Sequence, residues 1–296
     1  MQSISLKITS LIFILLFLES FSFAKQINAE KKNFLWEIKS NTTKAYLLGS
    51  IHLGKETMYP LDTVIENRFN ECDNLVVETN VKGTEALGLA ASIDMMYGAD
   101  STVKDELSEF RYEKLKEIAS YCSLPSILLN KVRLGYSLIF LQLKKLNDMG
   151  YAPNYGIDLH FLNKAEGKKV LELESAESQI SLMNSLIEAA DTSIIDLEYF
   201  KTGIETMDSL VYAWQNGDIE FLEELLSSES AVLSIGGDEM SFKLNDERNF
   251  QMLEIIEKYL ESNEKYFIIV GAAHLVGENG LINLLREKNK YFIKQL

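Results

Sequence analysis

Cysteine, proline, histidine and positive charge are all scarce in this chain, and each shortage excludes something. The 2 cysteines, Cys72 and Cys122, are too few for a disulfide scaffold or a thiolate metal cluster. One bridge between them stays open by count. Cys122 nevertheless shares a helical face with Leu115, Ile118 and Ala119, so each thiol reads as a small buried apolar side chain. With 3 prolines and no tract rich in Gly, Ser or Pro, no linker divides the 296 residues. Lys and Arg number 29 against 44 Asp and Glu, and the net charge of −15 repels phosphate backbones and argues against a nucleic-acid partner. Gly-x-Ser-x-Gly, His-Glu-x-x-His and a phosphate-binding glycine loop are all missing, which removes three common routes to hydrolysis and nucleotide binding. What remains is an ordinary globular composition, 47% hydrophobic and 25% charged, able to bury a substantial core.

The first 24 residues read as an export signal. Lys7 supplies a thin positive region, Leu11 to Leu18 is unbroken and apolar, and Ser22-Phe23-Ala24 offers small residues for cleavage. That apolar core is well short of the roughly 20 residues that span a bilayer. The expectation is cleavage after Ala24 and a mature chain, residues 25–296, folding as one domain in the periplasm or outside the cell. An uncleaved membrane anchor is the competing reading; otherwise the membrane is not a partner.

Six short apolar runs read as strands, at 34–38, 45–51, 74–79, 169–173, 266–271 and 291–294. Most lack polar alternation, the pattern of strands buried on both faces of a parallel sheet. The first two are set to pair as a hairpin across Ser40-Asn41-Thr42-Thr43. A helix carrying Leu61, Val64, Ile65 and Phe69 leads to the third strand, a crossover onto a parallel sheet. Helical spacing covers 105–149, with Val132, Tyr136, Ile139, Phe140, Leu143 and Leu146 as one stripe. It also covers 193–227, with Leu197, Phe200, Ile204, Met207, Val211 and Trp214 in line until Gly217-Asp218 breaks the pattern. Residues 227–245 read as a long loop. The final unit repeats the order of the first: strand, turn with histidine, helix. The expected fold class is α/β, a mostly parallel sheet built from quasi-repeated N- and C-terminal units with helical insertions between them.

Two of the 3 histidines recur in one pattern, Leu47-Leu48-Gly49-Ser50-Ile51-His52 and Ile269-Val270-Gly271-Ala272-Ala273-His274. Each Gly-x-x-His ends an apolar strand, and open α/β sheets hold ligands at the carboxyl ends of their strands. A two-histidine site needs an oxygen ligand or base. Glu78, after Leu75-Val76-Val77, and Glu174, after Val170 to Leu173, end strands in the same way. Two histidines with one or two carboxylates suit a catalytic divalent ion that activates water, with Zn, Mn and Co undistinguished. Arg248 opens a helix and is either an oxyanion-stabilising charge or a surface ion pair. Structural alternatives stand beside these: a turn histidine can bond a backbone carbonyl, and Glu174 can favour the helix that follows it. His160 shares a helical face with Ile157 and Phe161 and reads first as a packed histidine.

Several motifs occur in a fixed order over roughly residues 33–294. They are Tyr46 to His52, Val76-Val77-Glu78, Gly156-Ile157-Asp158, Leu173-Glu174 with Gln179, Ala213-Trp214 with Gly217-Asp218, Glu247-Arg248-Asn249, and Val270 to Leu275 with Gly277 and Gly280. Together they resemble the TraB/GumN family, which is similar to the metal-dependent Tiki proteases and more distantly to the erythromycin esterase and haem-binding ChaN-like group. The resemblance implies one site built from both Gly-x-x-His motifs. In it His52 and His274 are metal ligands or catalytic histidines, Glu78 is a ligand or general base, and Arg248 stabilises charge. His160, Glu174, Ser50 and Asn249 are candidates for its lining. Ser50 stands where members usually have threonine, and Phe250 where tryptophan often follows Arg-Asn. The expected function is an exported metal-dependent hydrolase with a peptide or small-molecule substrate. The alternative is a binding protein for a peptide signal, haem or another small ligand; a third reading makes the histidines purely structural.

Overall fold

Leu47, Leu48, Leu75, Val76, Ile268 and Ile269 are fully buried, as runs without polar alternation require. They occupy central strands of a six-stranded sheet in the computed structural model, which describes residues 32–80, 95–189, 195–227 and 245–296. The strands are β1 (Leu35–Lys39), β2 (Lys44–Ser50), β3 (Asn74–Val77), β4 (Lys169–Glu172), β5 (Tyr266–Gly271) and β6 (Phe292–Gln295), in the order β4-β3-β5-β2-β1-β6. β4, β3, β5 and β2 are parallel, while β1 and β6 form an antiparallel edge. All six lie where the apolar runs put them, and Ser40 N–H closes the first hairpin on Thr43 O at 3.0 Å. The expected export signal and all but the ends of the expected 227–245 loop lie outside the described residues.

The quasi-repeat takes an intercalated form. The crossover from β2 to β3 leaves a gap one strand wide, and β5 fills it. The two Gly-x-x-His corners are therefore neighbours at the ends of adjacent strands.

Ten α-helices among the described residues cover and extend the sheet: α1 (Thr63–Asn70), α2 (Val103–Glu106), α3 (Glu109–Tyr121), α4 (Leu134–Asp148), α5 (Ile157–Lys164), α6 (Ala176–Ala189), α7 (Leu197–Gln215), α8 (Ile219–Ser227), α9 (Glu247–Leu260) and α10 (Leu281–Glu287). α1 starts where Asp62 Oδ1 accepts from Val64 N–H, and α7 where Asp196 Oδ1 accepts from Glu198 and Tyr199 N–H. Phe69 of α1, Phe161 of α5 and Phe267 of β5 pack with ring centroids 4.8–5.4 Å apart. That cluster docks α5, and with it Asp158, beside the end of β2.

Two helical expectations change. The 105–149 stretch breaks at Cys122–Arg133, where Ser123 adopts a φ of 54° and Pro125 leads into a 3-10 turn. On α4 the buried side is Leu134, Tyr136, Ser137, Leu141 and Leu146, while Phe140 and Leu143 are exposed. α4 carries apolar residues on two faces, and packing against α6 and α7 selects one. The α7 stripe holds, with Phe200, Ile204, Val211 and Trp214 buried, and Gly217 ends it at a φ of 59°.

No helix among the described residues is long and apolar enough to cross a membrane. Both cysteines are free and buried. Burial pushes the Cys72 thiol up to about 12, which leaves it inert.

Candidate functional site

Register builds the site. β2 pairs Ser50 with Gly271 of β5, β3 pairs Val77 with Ile269, and β4 pairs Glu172 with Val77. Glu174, Glu78, His274 and His52 therefore follow one another along the carboxyl edge, one from each parallel strand in spatial order.

Glu78 sits between two sets of partners. Its Oε1 accepts the N–H of Gly271 and lies 3.7 Å from His274 Nε2. Its Oε2 accepts from Arg248 at 2.8 Å and from Gln179 at 3.2 Å. A Cβ at Gly271 would stand 3.3 Å from that Oε1, so glycine admits the carboxylate to the backbone. Arg248, from the first turn of α9, forks onto Glu174 with two bonds of 2.7 Å. The three side chains are 16%, 7% and 6% exposed for Arg248, Glu78 and Glu174. Burial opposes the Arg248 charge, but Glu174 and Glu78 outweigh it and raise the guanidinium pKa.

The two histidines are held differently. His274 is buried, and its Nδ1 meets Asn249 Oδ1 at 2.7 Å while Asn249 Nδ2 donates to Asn279 O at 2.8 Å. With the Asn249 amide group committed to a carbonyl, the network assigns the proton to Nδ1 and leaves the Nε2 lone pair facing Glu78. Burial lowers the His274 pKa. His52 Nδ1 meets Asp158 Oδ2 at 2.9 Å, and Ser50 Oγ donates to the other Asp158 oxygen at 2.9 Å. The Asp158 hydrogen bond raises the His52 pKa to about 9 against the opposing effect of partial desolvation by neighbouring residues. Burial would raise the Asp158 pKa, but the His52 and Ser50 bonds lower it. The His52 side chain is 69% exposed, so water screens this pair and its main effect is orientation. Asp158→Asn is expected to bring His52 from about 9 back toward 6.5, read by NMR titration of the imidazole. A value that stays near 9 would mean that the Glu78 charge holds the proton instead.

The sequence model of the TraB/PrgY/gumN family matches residues 34–291, a span that contains every side chain just described. The chain belongs to the TraB/PrgY/gumN family. Two relatives are 26% identical. The uncharacterized protein YbaP of Shigella flexneri aligns over 250 residues, 82% of this chain and 88% of that protein. YbaP of Escherichia coli (strain K12) aligns over 249 residues, 81% and 87% of the respective chains. No solved structure matches.

Of the residues that the family resemblance singled out, the structure brings His52, His274, Glu78, Glu174 and Arg248 to one edge, with Asn249 behind His274. Ser50 reaches the row only through Asp158. His160 turns to Glu66 of α1 at 2.8 Å and packs on Tyr59. Positions two apart on a helix point about 200° apart, so α5 cannot aim both Asp158 and His160 at the row. Asp158, Gln179 and Trp214 were not among the site residues read from sequence, although each lies in a family motif. The signal for Asp158 was a carboxylate in the first turn of a helix that opens on Gly156.

Among the described residues no three His, Cys, Asp or Glu side chains converge as a metal-ligand group. The His274 Nε2 and Glu78 Oε1 pair does fit an ion: 3.7 Å is close to the span of two bonds of about 2.1 Å at roughly tetrahedral angles. Tying each histidine Nδ1 to an oxygen is also how metal-binding imidazoles are usually oriented.

Proposed function

We propose that this chain is an exported, metal-dependent hydrolase of peptide or amide bonds, working at the carboxyl edge of the sheet. One observation carries the reading. Both Gly-x-x-His histidines have Nδ1 engaged by a side-chain oxygen, and His274 Nε2 lies 3.7 Å from the buried Glu78 carboxylate, with His52 just past the end of the adjacent strand. His274 and Glu78 would hold the ion, with His52 next along the edge. A bound divalent ion supplies Lewis acidity and a water nucleophile at neutral pH. Glu78, fixed by Gly271, Gln179 and Arg248, presents one oxygen as ligand or proton acceptor. His52 offers Nε2–H to a leaving amine when charged and a third ligand when neutral. The motif-bearing first 24 residues support export.

The test uses purified residues 25–296, elemental analysis and a peptidase screen. Stoichiometric metal, turnover abolished by chelation and restored by Zn, Mn or Co, and loss of metal in His274→Ala are expected. His52→Ala decides its role, since a ligand loses metal and an acid loses only turnover. Folded His52→Ala and His274→Ala variants at full activity would sink the assignment. A second reading draws on Arg248, which already pairs with both carboxylates without any ion. It makes the crevice a binding site without turnover, and ligand retained in the presence of chelator is its signature.

A further inference from the structure

We infer that the α7–α8 hairpin is a yoke that positions both Gly-x-x-His loops, with Trp214 and Asp208 acting on the His52 loop and Glu223 on the His274 loop. The inference rests on the reading that the two histidines serve one site. His52 lies two residues beyond Ser50, the last paired residue of β2, and His274 three beyond Gly271, so the sheet alone does not fix either.

The contacts fall close to both histidines. Buried Trp214 donates its indole N–H to Gly49 O at 2.6 Å, just before His52. On the same helix Asp208 Oδ1 accepts from Lys55 Nζ at 2.7 Å and from Tyr151 OH at 2.6 Å. The Lys55 ammonium also lies 4.1 Å over the Tyr151 ring. α7 thus holds the end of β2 just before His52 and the loop just after it. From α8, Glu223 accepts the N–H of Gly277, just past His274, at 2.8 Å. That N–H is presented by a left-handed residue, φ 85°, a conformation glycine adopts without strain.

The hairpin is itself fixed. α7 and α8 pack together, Asp218 N–H bonds Ala213 O at 2.9 Å across the turn, and Gln295 of β6 donates to Gly217 O at 2.9 Å. Displacing a reacting group by about 1 Å can lower a rate on the order of a hundredfold, so holding two loops to one rigid element matters. Trp214, Asp208 and Glu223 act through backbone and Lys55, which makes them positioning residues.

The experiment uses metal-free chain with isotope-labelled histidine, read by NMR, together with zinc titration and thermal melts. Trp214→Phe keeps an aromatic ring, smaller than the indole, and removes the N–H, Asp208→Asn removes a surface charge, and Glu223→Ala removes the acceptor. Trp214→Phe and Asp208→Asn are expected to shift the His52 signals, and Glu223→Ala those of His274, with His160 unmoved in all three. Zinc affinity falls about tenfold in each, the lower end of what supporting residues contribute. Unchanged histidine signals in folded Asp208→Asn and Glu223→Ala overturn the yoke, as do shifts that spread equally to His160. If the parent chain binds no zinc, the proposed function fails while the histidine signals still decide the yoke.

Discussion

Arg248→Met is expected to destabilise the folded chain by about 3–5 kcal/mol at neutral pH, the usual consequence of removing one partner from a buried ion pair. For a chain of this size that lowers the melting temperature by on the order of 10 °C. Arg248 is the cation between two buried carboxylates, Glu78 and Glu174, and Gln179 also bonds both. Without the guanidinium, two like charges face each other in a site with little water, and one of them is driven to take up a proton. The sign follows from that proton. Uptake stabilises the folded variant in acid and is lost as pH rises, so the deficit is larger at pH 8 than at pH 5. Melts at both pH values check this, and an equal deficit would reduce Arg248 to a packing role. Arg248→Lys is expected to recover only part of the loss, because an ammonium cannot fork onto both Glu174 oxygens. The double variant Arg248→Met, Glu174→Met is expected to be more stable than Arg248→Met alone, since it removes one of the two facing carboxylates.

Under the proposed function, Glu78→Gln is expected to lower metal-dependent turnover by about 10²- to 10⁴-fold, the range for removing a positioned acid or base. The substitution is nearly isosteric and keeps an oxygen to accept the Gly271 N–H. Its amide group would, however, face the Arg248 and Gln179 donors, at a cost of roughly 1–3 kcal/mol. The variant therefore folds but loses the negative charge beside His274 Nε2. Rates with excess metal, set against melts of the same samples, separate chemistry from stability. Turnover within a few-fold of the parent would remove Glu78 from the reaction. Glu78→Asp keeps the charge but withdraws it from Gly271, and should fall between the two.

What could be read from the sequence was local. Strands buried on both faces must be apolar throughout, so β2, β3 and β5 stood out as runs and the histidines marked the ends of two of them, while the partly exposed edge strands β4 and β6 showed only short apolar stretches. The α7 stripe was legible because its apolar residues lie on a single face. α4 was not, because it has two apolar faces and only its neighbours decide which is covered.

The sequence by itself determined that the candidate residues His52, His274, Glu78 and Glu174 stand at the ends of strands. Tertiary structure decided how they meet. Strand order is set by the crossover that leaves a gap between β2 and β3, and no residue of the N-terminal unit announces that β5 will enter it. That insertion turns two distant motifs into neighbours and lays Gly271 against Glu78. Asp158 is 106 residues from His52, and its role depends on aromatic packing that docks α5 beside β2. Hydrogen bonds across such separations depend on packing geometry, which a linear pattern does not encode.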